Sequence, residues 1–138
     1  MNVDYQQRTT ILLVDDEQAL LDEVSAVLTK DGYSCRCCTT AEAAMAEAMA
    51  SPPDLIISDI NLAGHSGLEM CEQIQAALPT EDIPVMFLSG AQIPDIIRRS
   101  HAAGGTYYLR EPFDPEVLVE LVHKALYMPH LVAAHAGG

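Results

Sequence analysis

The sequence predicts an α/β fold, with a doubly wound parallel sheet between two layers of helices. Two observations carry this expectation. Short aliphatic runs alternate with helical patterns five times in 138 residues, and strict alternation of this kind gives parallel strands joined by right-handed crossovers. Two of the runs also lead straight into acid. Ile11-Leu12-Leu13-Val14 meets Asp15-Asp16, and Leu55-Ile56-Ile57-Ser58 meets Asp59. An aliphatic run ending in acid reads as a strand buried on both faces that opens into a loop.

The elements follow in order. Thr10–Val14 is the first strand. Leu20, Leu21, Val24, Val27 and Leu28 then recur at helical spacing, and Lys30-Asp31-Gly32 ends that helix with a glycine suited to the left-handed stop. A second strand covers 33–38. Thr39 with Glu42 forms a capping box before the Ala- and Met-rich helix Ala41–Ala50, which Ser51-Pro52-Pro53 stops. The third strand lies in 54–59, followed by a loop containing Gly64 and Gly67. Leu68, Cys71, Ile74 and Leu78 mark the next helix, ended by Pro79. The fourth strand, 84–88, reaches Ser89-Gly90. A helix around 95–103 stops at Gly104-Gly105, and 106–110 is the fifth strand. After Glu111-Pro112-Phe113, Asp114 is an N-cap and Pro115 the first helical residue. Val117, Leu118, Leu121, Val122 and Leu126 give the last helix its apolar face. One domain therefore spans 9–127, between an N-terminal extension, 1–8, and a tail or linker stub, 128–138.

Composition narrows the function. Hydrophobic residues make up 49% of the chain, enough for one core, and with no Trp and two Phe its packing is mainly aliphatic. A net charge of −13 argues against nucleic-acid or anionic-membrane surfaces, which are held by Lys and Arg. No run reaches the roughly 18–20 apolar residues of a membrane span. The polar start lacks a signal-peptide pattern, so a cytoplasmic address is expected. Cys35 and Cys38 spell C-x-x-C. Residues three apart on a strand face opposite ways and no second ligand pair follows, so reduced thiols are expected rather than a redox or zinc site. His65 reads as solvated, His101 and His123 share no metal-ligand spacing, and Met45 and Met49 read as packing.

In open α/β sheets, sites form at the carboxyl ends of the strands. Asp15, Asp16 and Asp59 should therefore converge on one rim, where a hard divalent cation is the usual remedy for their repulsion. Each element also has an ordinary structural reading. Asp15 and Glu17 suit the start of a helix, Ser89 suits an N-cap, and Tyr107 and Tyr108 suit a core.

Taken together, four motifs resemble the receiver domains of bacterial two-component response regulators. They are Leu-Val-Asp-Asp-Glu, Asp-Ile-Asn-Leu-Ala-Gly-His-Ser-Gly, a serine ending the fourth strand, and Tyr-Leu-Arg-Glu-Pro-Phe-Asp. The likeness spans about 9–127. It implies a flavodoxin-like sheet of order 2-1-3-4-5 with five helices. It makes Asp59 the phosphoacceptor. Mg²⁺ would be held by Asp16, Asp59 and the backbone carbonyl of Asn61, with Asp15 acting mostly through water. Ser89 would hydrogen-bond a phosphoryl oxygen, with Gly90 leaving room beside it, and Tyr108 would be the aromatic switch. Asn61 and Ala91 fall where the family tunes phosphoryl lifetime. The implied partners are a histidine kinase or phosphotransfer protein and a downstream protein or attached output domain. The contact surface would include Tyr108, Arg98 and Arg99, and it could also support a homodimer.

The chain departs from the family at one position. Where the family has Lys before the Pro ending strand five, this chain has Glu111. Two unit charges about 4 Å apart interact by roughly 4 kcal/mol at an effective dielectric of 20, so reversing one matters. Arg110, its neighbour, should face the other way. The Glu111-Pro112 peptide is a candidate for the cis form, as the resemblance implies. Three outcomes follow: a phosphate-accepting switch with altered transmission, a site in which Glu111 recruits or repositions the cation, and a phosphate-independent pseudo-receiver acting as scaffold or adaptor. A Mg²⁺-dependent phosphohydrolase ranks below all three, because the chain has no insertion to cap a substrate pocket. The chain is expected not to be an enzyme.

Overall fold

The computed structural model of the protein describes residues 9–90 and 107–127. The elements are β1 (Thr10–Val14), α1 (Gln18–Lys30), β2 (Ser34–Cys38), α2 (Ala41–Ala50) and β3 (Leu55–Asp59). A small hairpin of β4 (Asn61–Leu62) and β5 (His65–Ser66) comes next, then α3 (Gly67–Ala77) and a 3-10 turn at Pro79–Glu81. The last three are β6 (Val85–Ser89), β7 (Tyr107–Arg110) and α4 (Pro115–Tyr127). The extension 1–8, the helix expected around 95–103 and the tail 128–138 lie outside the described residues.

Five strands pair in parallel in the order β2-β1-β3-β6-β7. Apart from the hairpin, this is the flavodoxin-like 2-1-3-4-5 order. Successive side chains on a strand point to opposite faces, and the core divides accordingly. Ile11, Leu13, Leu55, Ile57, Met86 and Leu88 pack with Leu21, Val24 and Leu28 of α1 and with Leu118, Val122 and Ala125 of α4. Leu12, Val14, Ile56, Val85 and Phe87 pack on the other face with Ala41, Ala44 and Ala48 of α2 and with Met70, Cys71 and Ile74 of α3. Thus α2 meets the sheet through a face of alanines. Cys35 packs with the first cluster and Cys38 with the second, and both are free thiols, so the C-x-x-C residues do face opposite ways.

Local signals account for most boundaries. Gly32 takes φ 101° after α1. Asp114 caps α4 by accepting the Glu116 N–H at 2.9 Å. Three details differ from the sequence reading. The cap of α2 is Thr40, not Thr39, and its hydroxyl accepts the Ala43 N–H at 3.1 Å. With the cap one residue later, Glu42 cannot complete a capping box. On α4, Val117 is exposed and Ala125 takes its place in the core. The stretch after Asp59 is a hairpin whose two turn residues, Ala63 and Gly64, both have positive φ (37° and 91°), as a type I′ turn needs. Ala63 accepts a left-handed conformation that costs an L-residue roughly 1–2 kcal/mol.

Gly67 opens α3 under a tight constraint. Its N–H donates to the Ile60 carbonyl at 2.7 Å, and a Cβ at this position would overlap the Asp59 backbone carbonyl oxygen. The hydroxyl of Ser66 caps the same helix by accepting the Glu69 N–H. Because α3 begins against the backbone of Asp59, a methyl group here must push the helix away. Gly67→Ala is expected to lose about 1–3 kcal/mol in urea denaturation. An unchanged midpoint would show that α3 can retreat without loss.

Candidate metal and phosphoacceptor site

Register builds this site. Leu13 pairs with Ile57 and Val14 with Ser58, so β1 and β3 end side by side and release Asp15 and Asp59 onto the same rim. Each of Asp15, Asp16 and Asp59 offers a carboxylate oxygen, and all three oxygens lie within 4.8 Å of one another. Asp15 is 4% exposed, Asp59 is half-buried and Asp16 is open to solvent. One Asp15 oxygen accepts the Glu17 N–H at 2.8 Å, which turns the chain toward α1. Glu17 itself caps α1 without a side-chain hydrogen bond. The ordinary reading of Asp15 as a helix-opening acid therefore describes one of its contacts, and convergence on the rim describes the others.

The electrostatics are those of crowded, partly desolvated acids. Burial, reinforced by the charges of Asp59, Asp16 and Glu111, pushes the Asp15 carboxyl up to about 6, against the Glu17 N–H bond. Burial also raises Asp59, with Asp16 and Glu17 adding repulsion. The N–H groups of Asn61 and Ile60 donate to the Asp59 carboxylate and pull its pKa down. Three hard oxygen donors at this spacing suit a hard dication such as Mg²⁺. Asp15, Asp16 and Asp59 would hold it, and Asn61, two residues after Asp59 at the start of β4, stands beside them.

The remaining candidates lie around this cluster. Ser89 is buried at the end of β6 and is followed by Gly90, where a Cβ would meet nothing within 4 Å. Tyr107 is buried in the α1/α4 cluster. Tyr108 is half-buried on the opposite face and stacks on Phe87 with ring centroids 5.6 Å apart. Glu111 follows β7, and its N–H donates to the Ser89 carbonyl at 2.7 Å. Burial raises the Glu111 carboxyl, and the charges of Asp59, Glu17 and Glu23 add to the effect, while the carboxylate stays outside the close group of Asp15, Asp16 and Asp59. Arg110 is exposed and stands opposite Ser89 in the sheet register. The Glu111-Pro112 peptide is cis. His65 is exposed and lies 3.5 Å from Glu42. Arg98, Arg99, His101 and Ala91 lie outside the described residues.

The roles of three residues escaped the sequence reading. Ser58 is buried, and its hydroxyl donates to the Asp59 carbonyl at 2.8 Å. Glu23 adds negative charge to Glu111 from α1. Gly67 fixes the approach of α3 to Asp59. None of them has a local pattern that distinguishes it from a strand serine, a helix-surface acid or a loop glycine.

Asp15 sets a pH dependence. Its folded pKa lies above the ordinary carboxylate range, so the folded state holds this proton more tightly than the unfolded chain does. The resulting stability is present below the unfolded pKa and is lost as pH rises through about 6. In chelator, thermal melts should show stability falling between about pH 4 and 6.5 by on the order of 2 kcal/mol. Asp15→Asn should flatten that slope, and an equal slope in the variant would exclude Asp15 as its source.

Known proteins match this architecture closely. The model of the response regulator receiver domain matches residues 11–123. The chain is 34% identical over 110 residues to the transcriptional regulatory protein YvrH of Bacillus subtilis, covering 79% of this chain and 45% of that one. It is 33% identical to the phosphate regulon transcriptional regulatory protein PhoB of Pseudomonas aeruginosa, covering 80% of this chain and 48% of that one. The chain thus spans about half the length of these curated relatives. Among solved structures, the chemotaxis protein CheY4 of Vibrio cholerae superposes with a TM-score of 0.77 at 28% identity, over 86% of this chain and 98% of that one. A CheY-like receiver domain protein of Methanospirillum hungatei gives 0.79 at 26% identity, over 89% and 97%. The chain belongs to the response regulator receiver domain family of two-component systems.

Proposed function

We propose that this domain accepts a phosphoryl group on Asp59 from a histidine kinase or phosphotransfer protein and so changes the affinity of a protein-binding surface. The observation that carries this reading is the meeting of Asp15, Asp16 and Asp59 within 4.8 Å at the ends of two buried strands. In the transfer, an Asp59 carboxylate oxygen bonds to phosphorus as the phosphorus–nitrogen bond of the donor phosphohistidine breaks. A bound Mg²⁺ would neutralise charge on the transferring oxygens. The chain's own groups do the rest. Asp15, Asp16 and Asp59 would hold the cation, Ser89 would donate its hydroxyl to a phosphoryl oxygen, and Gly90 leaves space beside it. Tyr108, stacked on Phe87, then changes its packing as the Ser89 loop moves.

The domain works as a signalling module rather than a turnover catalyst, and it acts in the cytoplasm. Among the described residues no helix is long and apolar enough to cross a membrane. Its output passes to a downstream protein or attached domain, or to a second copy through the surface that includes Tyr108. A specific observation favours a second reading. Glu111 puts a fourth acid at the rim in the position of the family lysine, which suits a phosphate-independent pseudo-receiver.

Intact-mass analysis after incubation with acetyl phosphate separates the two. A phosphoryl adduct that requires Mg²⁺ and disappears in Asp59→Asn is the expected result. If the natural chain takes no adduct and Glu111→Lys restores it, the pseudo-receiver reading holds instead.

A further inference from the structure

The rim gathers negative charge with little to oppose it. Glu111 is anchored there by its N–H to Ser89, and its charge acts on Asp15 while the charge of Asp59 acts on Glu111. The basic side chains of the described residues are engaged or placed elsewhere. Arg36 pairs with Glu47 at 2.8 Å and Lys124 with Glu120 at 3.7 Å. Lys30 sits at the far end of α1, and Arg110 is exposed. Among the described residues, no ion pair involves Asp15, Asp16, Asp59 or Glu111.

We propose that Glu111 is an outer carboxylate of the cation site, which strengthens divalent-cation binding by the unphosphorylated domain and weakens its hold on the phosphoryl group. The inference rests on the receiver reading of the same rim. Glu111 stands outside the triad of close oxygens, so it acts across the intervening space and water rather than as a direct ligand. Coulomb's law gives its effect opposite signs for the two ligands. A dication is attracted by each added carboxylate, and a phosphoryl dianion is repelled by it. A lysine at the same position would reverse both effects. The rim is thereby biased toward the state in which cation is bound and phosphoryl is absent.

The test is calorimetric titration of the unphosphorylated protein with MgCl₂ at low ionic strength, comparing the natural chain with Glu111→Asp, Glu111→Gln and Glu111→Lys. Affinity should stay within about twofold in Glu111→Asp, fall about threefold to fivefold in Glu111→Gln and fall about tenfold or more in Glu111→Lys. The differences should shrink as salt is added. Acetyl phosphate adduct yield at saturating Mg²⁺ should move in the opposite direction, rising from the natural chain to Glu111→Lys. Circular dichroism checks that each variant is folded, and the charge-conserving Asp variant separates charge from local packing. Equal affinities in all four proteins, with adduct still formed on Asp59, would overturn the role of Glu111 and leave the receiver reading standing. Absence of both Mg²⁺ binding and adduct throughout the series would overturn the two together.

Discussion

The pairing register of β1 with β3 is the constraint on which the site depends. Because Val14 lies opposite Ser58, the next residues, Asp15 just past β1 and Asp59 at the last position of β3, come level at the carboxyl edge of the sheet. The register is fixed by burial on both faces rather than by the acids. A one-residue slip would exchange the two core clusters along a whole strand, turning side chains fitted against α1 and α4 toward α2 and α3. The hydrophobic core therefore provides the energy that holds like charges together. It leaves Asp15 almost fully buried in a place where its ionised form is disfavoured.

Much of this was legible in the sequence. The aliphatic runs located the central strands β1, β3 and β6 to within a residue or so, because strands buried on both faces must be largely apolar. The rim acids were legible for the same reason, since an acid after a buried aliphatic run marks the end of the strand. What escaped depends on contacts between segments distant in sequence or on competition between equivalent neighbours. Thr39 and Thr40 are chemically identical candidates for the cap, and only the path of the chain out of β2 selects Thr40. Ala125 rather than Val117 is buried because it continues the i, i+4, i+7 spacing of Leu118 and Val122, which Val117 does not share. The need for glycine at position 67 comes from the carbonyl of Asp59, eight residues away, and leaves no trace in local periodicity.

Glu111 was visible as a departure from a pattern, but its consequence depends on where the side chain resides. At a solvated strand end the charge reversal would be screened to little effect. Half-buried beside Ser89 and sensing Asp59, it belongs to the same electrostatic unit as the aspartates. Arg110, the basic residue adjacent in sequence, is exposed, and among the described residues it makes no ion pair with the rim acids.

The alanine face of α2 has a different kind of consequence. Ala41, Ala44 and Ala48 are buried with no side chain beyond Cβ, so truncation has almost nothing to remove there. The opposite change, enlargement, meets a sheet already in contact. On α1, where Leu21, Val24 and Leu28 fill the equivalent space, the order reverses, and shrinking the side chain opens a void. These two helices on opposite faces of one sheet thus tolerate evolutionary drift in opposite directions, α1 admitting smaller residues poorly and α2 larger ones.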